Sequence, residues 1–262
     1  MSEWKIFDTH AHYDDEAFDE DREQLLTELP KLGVSPVVNM GSDLAGCRGT
    51  IALTERYDYI YGAIGVHPSD CAEMTEEDYL WLRDMCGREK IVAVGEIGLD
   101  YYWPEPGHDL QEKWFRRQLG LARETGLPVV IHSRDAAQAT YDIMCEEHAE
   151  EIGGVIHCFS YSAEMALRYV KMGFYIGIGG VLTFKNARKL REVAETVPLE
   201  RIVLETDSPY LAPVPNRGKR NNSSYLRYVA PVLADIKGVS TEEIIRVTRE
   251  NAFRMYRMNG ES

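Results

Sequence analysis

A chain of 262 residues has the length of one (β/α)₈ barrel and is short for two independent domains. The formal net charge of −14 argues against a broad, non-specific nucleic-acid surface, because such surfaces carry a basic patch. This net charge does not exclude an enzyme that binds a few phosphates through bound cations. Hydrophobic residues make up 44% of the chain, enough for a sizeable core, and polar residues interrupt every apolar run before it could span a bilayer.

The N-terminal residues and the cysteines indicate the compartment. The first six residues lack the basic-then-apolar layout of a signal peptide. Five cysteines, an odd number with no CxxC pair, do not make a disulfide framework. We therefore expect a cytoplasmic protein with no membrane association and no obligate protein partner.

Short apolar runs rich in β-branched residues alternate with segments of helical spacing. The runs are Lys5 to His10, Val34 to Gly41, Ile60 to Val66, Ile91 to Ile97, Pro128 to His132, Gly154 to His157, Phe174 to Gly179 and Ile202 to Thr206. This alternation is typical of parallel βα units. It predicts a single domain over residues 1–262, folded as a (β/α)₈ TIM barrel, with a doubly wound open sheet as the alternative.

The segments between the runs carry helix signals. Apolar positions recur at three- and four-residue steps at Leu25, Leu26, Leu29 and Leu32. The segment Gln111 to Thr125 shows the same spacing and stops at Gly126. Ser240 with Glu243 three residues later predicts a capping box at the start of the last helix.

Histidines and acids stand at the C-terminal ends of the predicted strands. His10 and His12, at positions i and i+2, point to the same side of the first strand. Later strands end in Glu96, His132, His157 and Asp207. The C-terminal ends of barrel strands meet at one mouth, whereas an open sheet would scatter them, so this placement favours the barrel.

These residue types indicate a metal centre. Imidazole and carboxylate together suit zinc, manganese or iron, and six ligands suffice for two ions that share one carboxylate. We expect Glu96 to bridge, the histidines of strand one to hold one ion, and those of strands five and six to hold the other. Asp207 would touch a metal and its bound water, which makes Asp207 and Glu96 the candidate catalytic residues. The predicted cofactor is one or two divalent ions of Zn, Mn, Mg or Fe.

Longer motifs extend along nearly the whole chain. They are Phe7-Asp8-Thr9-His10-Ala11-His12, Gly65-Val66-His67-Pro68, Gly95-Glu96-Ile97-Gly98-Leu99-Asp100-Tyr101, Leu127-Pro128-Val129-Val130-Ile131-His132-Ser133-Arg134, His157-Cys158-Phe159-Ser160, Leu182-Thr183-Phe184-Lys185-Asn186-Ala187, Leu204-Glu205-Thr206-Asp207-Ser208-Pro209-Tyr210-Leu211 and Asn251-Ala252-Phe253-Arg254. With them the chain resembles the TatD-type metal-dependent hydrolases, deoxyribonucleases on an amidohydrolase-like barrel. The resemblance implies metal ligands at His10, His12, Glu96, His132, His157 and Asp207, the same set that strand spacing selects.

The substrate-binding candidates are basic residues and one histidine near the mouth. Arg217, Lys219 and Arg220 follow strand eight, where barrel enzymes often bind phosphate. The loop resembles that of the family, except that it continues with residues 222–225, Asn-Ser-Ser-Tyr, where the family usually has Glu-Pro. Arg134 offers a charged fork to phosphate oxygens, with an ion pair to Asp135 or Asp100 as its alternative. The resemblance places His67 beside the site, where a structural role is the alternative.

Two further features lie deeper in the predicted barrel. Glu205 points the same way as Asp207, one layer lower, and we expect it to accept a hydrogen bond from a ligand imidazole, with a protonated structural carboxyl as the alternative. The run from Gly177 to Gly180 lacks the GxGxxG spacing of nucleotide loops and predicts close packing at strand seven.

The resemblance implies a deoxyribonuclease that removes nucleotides from a DNA end, by metal-dependent hydrolysis of phosphodiester bonds. RNA is a further possible substrate. The alternative is an amide or ester hydrolase on the same dinuclear site, such as a D-aminoacyl-tRNA deacylase, since both reactions use metal-bound hydroxide. A third interpretation is a non-catalytic metal-binding or scaffold protein. The basic loop favours a phosphate-bearing substrate for either enzyme.

Overall fold

The computed structural model describes residues 5–259 as one barrel of parallel strands. In chain order the strands are β1 (Ile6–Ala11), β2 (Val34–Met40), β3 (Ile60–Ile64), β4 (Ile91–Asp100), β5 (Val129–Arg134), β6 (Gly154–Ile156), β7 (Tyr175–Ile178) and β8 (Ile202–Leu204). Each strand pairs with the next, and the residues after β8 close the ring, since the His12 N–H donates to the Ser208 carbonyl at 2.7 Å. The predicted (β/α)₈ barrel is therefore confirmed, and the open sheet is excluded.

The helices surround the barrel. They are α1 (Arg22–Glu28), α2 (Leu44–Arg56), α3 (Glu76–Met85), α4 (His108–Thr125), α5 (Ala137–Glu146), α6 (Ala163–Lys171), α7 (Arg188–Thr196), α8 (Leu226–Lys237) and α9 (Thr241–Met255). Helices α1 to α7 connect successive strands, and α8 and α9 follow β8. Across residues 5–259, no helix is both long enough and apolar enough to cross a membrane.

The predicted leucine stripe of α1 is shorter in the structure. Leu26 and Leu29 are fully buried, but Leu32 is 41% exposed. The helix ends at Glu28, and Pro30 opens a separate 3₁₀ turn. Proline lacks the N–H that a helix interior needs, so the helical spacing stops before Leu32 is reached.

The two predicted helix-end signals have different outcomes. Helix α4 ends at Thr125, and Gly126 takes a left-handed φ of 71°, as a glycine C-cap predicts. The Ser240 hydroxyl accepts a hydrogen bond from the Glu243 N–H at 3.1 Å. The reciprocal half of that capping box is not formed, because the Glu243 carboxylate pairs with Arg246 at 2.7 Å instead.

A buried apolar cluster fills the barrel on the N-terminal side of the site. It gathers residues from the strands and from the end of α9, including Phe7, Val38, Ala63, Val130, Val155, Val203, Met255 and Tyr256. Val130 precedes His132 by two residues and Val155 precedes His157 by two. Because side chains alternate along a strand, these histidines also face the barrel interior, one layer above the packed floor.

Close contact between β4 and β5 depends on Gly98. Its φ is 143°, and an added Cβ would lie 1.9 Å from the His132 carbonyl oxygen, so only glycine fits. Gly98 is also the register partner of His132. This contact fixes the strand that carries Glu96 against the strand that carries His132.

Candidate metal centre

The six predicted ligands converge at the C-terminal end of the barrel. A cavity of about 650 Å³ opens there, and His12, Glu96, His132, His157 and Asp207 are among its lining residues. The His10 side chain is buried beside them, with 1% of its surface exposed. Among the described residues, four groups of three donors lie close together, and two of these groups share Glu96: one with His10 and His12, the other with His132 and His157.

The first donor set joins the end of β1 to Glu96 and Asp207. The Nε2 atom of His10 lies 3.1 Å from Nε2 of His12, 3.3 Å from Oε2 of Glu96 and 3.6 Å from Oδ1 of Asp207. The Nε2 atom of His12 lies 3.6 Å from the same Glu96 oxygen and 3.5 Å from the same Asp207 oxygen. Ligands about 2.0–2.2 Å from a tetrahedral ion are about 3.3–3.6 Å apart, so this spacing fits an ion at the centre.

The second donor set uses the other oxygen of Glu96. Oε1 lies 2.7 Å from Nε2 of His157 and 2.9 Å from Nδ1 of His132, and these two nitrogens are 3.3 Å apart. Nε2 of His67 lies at a greater distance, 3.8 Å from Oε1. The buried Glu96 carboxylate thus presents one oxygen to each set, the arrangement of a bridging ligand.

Hydrogen bonds outside the cluster orient two of the imidazoles. Nδ1 of His12 lies 3.1 Å from the Met40 carbonyl, so it carries the proton and leaves Nε2 free to bind a cation. Nε2 of His132 lies 3.2 Å from Oδ2 of Asp100, which directs Nδ1 toward the second set. The sequence indicates no role for Asp100 at the metal centre and predicts it only as an alternative ion-pair partner of Arg134. Its position on β4, on the same side as Glu96 and four residues later, is the signal that could have identified it.

Asp100→Asn is expected to weaken metal binding about 10- to 100-fold, the usual effect of losing a carboxylate behind a ligand histidine. The amide would no longer offer His132 a charged acceptor, while the site and the fold keep their shape. Competition titration against a chelator measures the change. Asp235→Asn, on the exposed face of α8, is the matched control. An Asp100→Asn protein with unaltered metal affinity would show that Asp100 does not support the site.

Some polar atoms under the cluster have no hydrogen-bond partner among residues 5–259. They are Nδ1 of His10, Nδ1 of His157 and Oε2 of Glu205. Oε1 of Glu205 accepts from the Cys158 N–H at 2.5 Å but lies 3.9 Å from Nδ1 of His157. The predicted direct bond from Glu205 to a ligand imidazole is therefore wrong. The predicted close packing at strand seven is confirmed, because a Cβ on Gly177 would lie 2.3 Å from Oε2 of Glu205.

The charges of the cluster are strongly coupled. Burial alone would raise the pKa of Glu96, but the His157 and His10 imidazoles outweigh it and hold that pKa well below its usual range. Burial likewise opposes ionisation of Asp207, yet the His12 hydrogen bond and nearby imidazoles lower its pKa to about 2. Burial would lower the pKa of His12, but Asp207 and Glu96 outweigh it and raise it to about 9. The cluster therefore attracts positive charge, and protons compete with metal ions for the same nitrogens.

Buried polar contacts between β1 and the chain after β8 fix the position of Asp207. The Asp8 carboxylate accepts from the Thr206 N–H at 3.0 Å and from its hydroxyl at 2.6 Å. The Asp207 N–H donates to the His10 carbonyl at 2.9 Å. Asp207 has a φ of 57°, in the left-handed region that costs most residues energy, and such strain is typical of functional sites.

Two of the predicted substrate-binding residues line the cavity. His67 and Arg134 both face it. The Arg134 guanidinium lies 3.8 Å from the centre of the Tyr102 ring. Within the described part of the chain Arg134 forms no ion pair with Asp135 or Asp100, so the alternative role, a structural ion pair, is not present.

The three basic residues of the loop after β8 do not line this cavity. Arg217 lies over the Phe184 ring at 4.5 Å, and Lys219 follows two residues later. Arg220 donates to both carboxylate oxygens of Asp21, at 2.7 and 2.6 Å. The loop therefore lies outside the metal cavity, and one of its three charges is neutralised.

Comparisons with known proteins agree with this architecture. Residues 7–257 match the family model described as TatD related DNase. The chain is 46% identical to the uncharacterized metal-dependent hydrolase YabD of Bacillus subtilis, over 97% of this chain and 100% of YabD. It is 37% identical to the uncharacterized metal-dependent hydrolase YcfH of Escherichia coli K12, over 97% of this chain and 96% of YcfH.

A solved structure matches the whole barrel. The crystal structure of YjjV, a TatD homologue from Escherichia coli K12, superimposes with a TM-score of 0.91 at 30% identity, covering 97% of this chain and 99% of YjjV. Family model, relatives and structure all span nearly the entire chain. The chain therefore belongs to the TatD family of metal-dependent hydrolases.

Proposed function

We propose that the protein is a metal-dependent deoxyribonuclease that hydrolyses phosphodiester bonds at a DNA end. The observation that carries the proposal is the Glu96 carboxylate, with one oxygen in each donor set. Paired divalent ions on such a carboxylate are suited to in-line displacement at phosphorus, because they stabilise both attacking and leaving oxygens. The family description, TatD related DNase, supports the same substrate class.

The bound ions and Asp207 have different roles in the proposed hydrolysis. Bound divalent ions would polarise the phosphoryl group and acidify a water molecule. Asp207 is the best-placed proton acceptor, because its side chain is 18% exposed to the cavity while that of Glu96 is 5% exposed. With a pKa of about 2, Asp207 is ionised at neutral pH and can take the proton of the attacking water.

His67 is suited to hold a substrate oxygen. Its Nδ1 accepts from the Ser69 N–H at 3.1 Å, which leaves the proton of the neutral imidazole on Nε2. Burial and the nearby His132 lower its pKa to about 3, so the ring is neutral at physiological pH. His67 can therefore donate an Nε2–H to a phosphate oxygen, and Arg134 can add a charged contact from the same wall.

The test is product analysis on end-labelled single- and double-stranded DNA with Mg²⁺, Mn²⁺ or Zn²⁺. We expect mononucleotides to be released progressively from one end, and no product after metal is removed with a chelator. A protein that leaves DNA intact with every ion but deacylates D-aminoacyl-tRNA would contradict the proposal. That outcome would identify the ester hydrolase alternative.

Backbone contacts from the loop after β8 are expected to make binding salt-dependent. We propose that Arg217 and Lys219 hold backbone phosphates, with a smaller share for Arg220 because Asp21 already pairs with it. Arg217→Ala/Lys219→Ala should reduce the slope of log KM against log salt by about 1.4, at about 0.7 for each phosphate of a single strand that is no longer neutralised. Arg220→Ala should change the slope less. If both variants had the same slope as wild type, the loop would be only a solvated surface that does not bind phosphate.

A further inference from the structure

A second cavity of about 440 Å³ opens from the side of the metal cavity. It lies between the segments that follow β6, β7 and β8. The two cavities share Cys158, Ser160, Val181, Asp207 and Leu211 as lining residues. A group in this side pocket would therefore adjoin a phosphate held at the candidate metal centre.

The walls of the side pocket suit a flat organic group. Phe159, Val181, Leu190 and Leu211 supply apolar side chains, and backbone from Gly179 and Gly180 forms another part of the lining. A volume of this size is typical of small-molecule sites. Apolar walls with few polar groups would bind any nucleobase by its faces, with little discrimination between bases.

The charges around the two cavities are unequally distributed. Two acids of the side pocket lining, Glu205 and Asp207, are buried and half-buried, whereas its two cations, Arg188 and Lys189, are exposed at the start of α7. Neither cation forms an ion pair within residues 5–259. The wall of the metal cavity near β1 and β3 carries Asp14, Asp15 and Asp70. A polyanion bound between Arg134 and the metal centre is repelled by that acidic wall and attracted by the exposed cations of α7, which favours the α7 side for its next phosphate.

We infer that the side pocket holds the nucleoside next to the scissile phosphate, and that Arg188 and Lys189 bind the next backbone phosphate. The inference rests on the proposed function, because it assumes a phosphodiester substrate. It adds a recognition element that the loop after β8 does not supply, since residues 217–220 do not line either cavity.

Binding of products tests the pocket without catalysis. With the full chain loaded with Mn²⁺, calorimetry should show deoxyadenosine monophosphate binding about 10- to 100-fold more tightly than deoxyribose 5-phosphate. Deoxycytidine monophosphate should show a similar advantage. Val181→Phe, at the boundary of the two cavities, should remove the advantage, so that the nucleotides bind no more tightly than deoxyribose 5-phosphate does. Equal affinities for the nucleotide and the sugar phosphate in the wild-type protein would overturn the inference.

A bisphosphate tests the role of the α7 cations. Wild type should bind deoxyadenosine 3′,5′-bisphosphate more tightly than either monophosphate of deoxyadenosine, and Arg188→Ala/Lys189→Ala should abolish that gain. The control Arg123→Ala/Lys171→Ala removes the same amount of charge at the C-terminal ends of α4 and α6. It should keep the gain in affinity for the bisphosphate. A gain retained in both variants would contradict the phosphate contact.

The two proposals fail separately. If the protein did not cleave DNA but still bound nucleotides more tightly than deoxyribose 5-phosphate, the proposed function would be refuted. The assignment of the side pocket to a nucleoside would then still hold. DNA cleavage without any nucleotide advantage would refute the pocket alone.

Discussion

Asp207→Asn is expected to reduce hydrolysis by about a thousandfold while the fold survives, within the range of general acid–base catalysis. The change keeps the shape of the side chain but removes the basic oxygen that would accept the proton of the attacking water. Asn tolerates the left-handed backbone at this position, where φ is 57°, so no new strain is introduced. Turnover of an end-labelled oligonucleotide, with circular dichroism to verify folding, measures the effect.

The control for this substitution is Asp70→Asn. Asp70 also lines the metal cavity, but its carboxylate is 3.9 Å from Nδ1 of His67 and belongs to neither donor set. Its replacement should leave turnover within a few-fold of wild type. A folded Asp207→Asn protein that retains most of its activity would exclude Asp207 as the proton acceptor.

Glu96→Gln is expected to have the larger effect on metal content, because it alters both donor sets at once. One oxygen becomes an NH₂ group, a donor that cannot bind a cation, and the charge that attracts ions to the buried imidazoles is removed. We expect metal affinity to fall by more than about a hundredfold, beyond the usual effect of replacing a carboxylate behind a ligand. Metal analysis after dialysis and titration with Zn²⁺ or Mn²⁺ measures the change.

Two comparisons make the Glu96 result specific. Glu124→Gln, an exposed change on α4, should bind metal as wild type does. Asp100→Asn should show a smaller decrease in affinity, since it acts on His132 alone. If Glu96→Gln weakened metal binding no more than Asp100→Asn, Glu96 would not join the two sets.

The fold and the meeting of the six candidate ligands could be predicted from one periodicity, the two-residue alternation of side chains along a strand. Alternation along a strand turns the side chains of His10, His132 and His157 toward the barrel interior, and a barrel brings the strand ends together whatever their separation in the chain. Neither step requires knowledge of side-chain packing. For this reason the strand positions could be predicted within three residues, the largest difference being the end of β4, at Asp100 and not at Ile97.

The orientation of each side chain could not be predicted in the same way. Which nitrogen of His132 faces the cluster depends on Asp100, and the position of Glu205 depends on the Cys158 N–H and the space over Gly177. Such choices are made by contacts of a few ångströms between residues far apart in sequence. The helical and strand periodicities of the sequence carry no information about these orientations.

The surroundings of the basic surface residues could not be predicted from the sequence either. Arg217, Lys219 and Arg220 are conspicuous as a run, yet Arg220 is paired with Asp21, which lies 199 positions earlier. Arg188, on the first turn of an amphipathic helix, resembles an ordinary solvated face in the sequence. Only the fold places it in the lining of the side pocket that adjoins the metal cavity.

The central claim is that Glu96 joins two donor sets in one metal centre, and anomalous diffraction from crystals grown with Mn²⁺ or Zn²⁺ tests it most directly. We expect one or two ions within about 2.0–2.3 Å of ligand atoms, with a Glu96 oxygen in contact with each. His10 and His12 should surround one position, and His132 and His157 the other. Ions bound elsewhere on the protein, with Glu96 in contact with none, would contradict it.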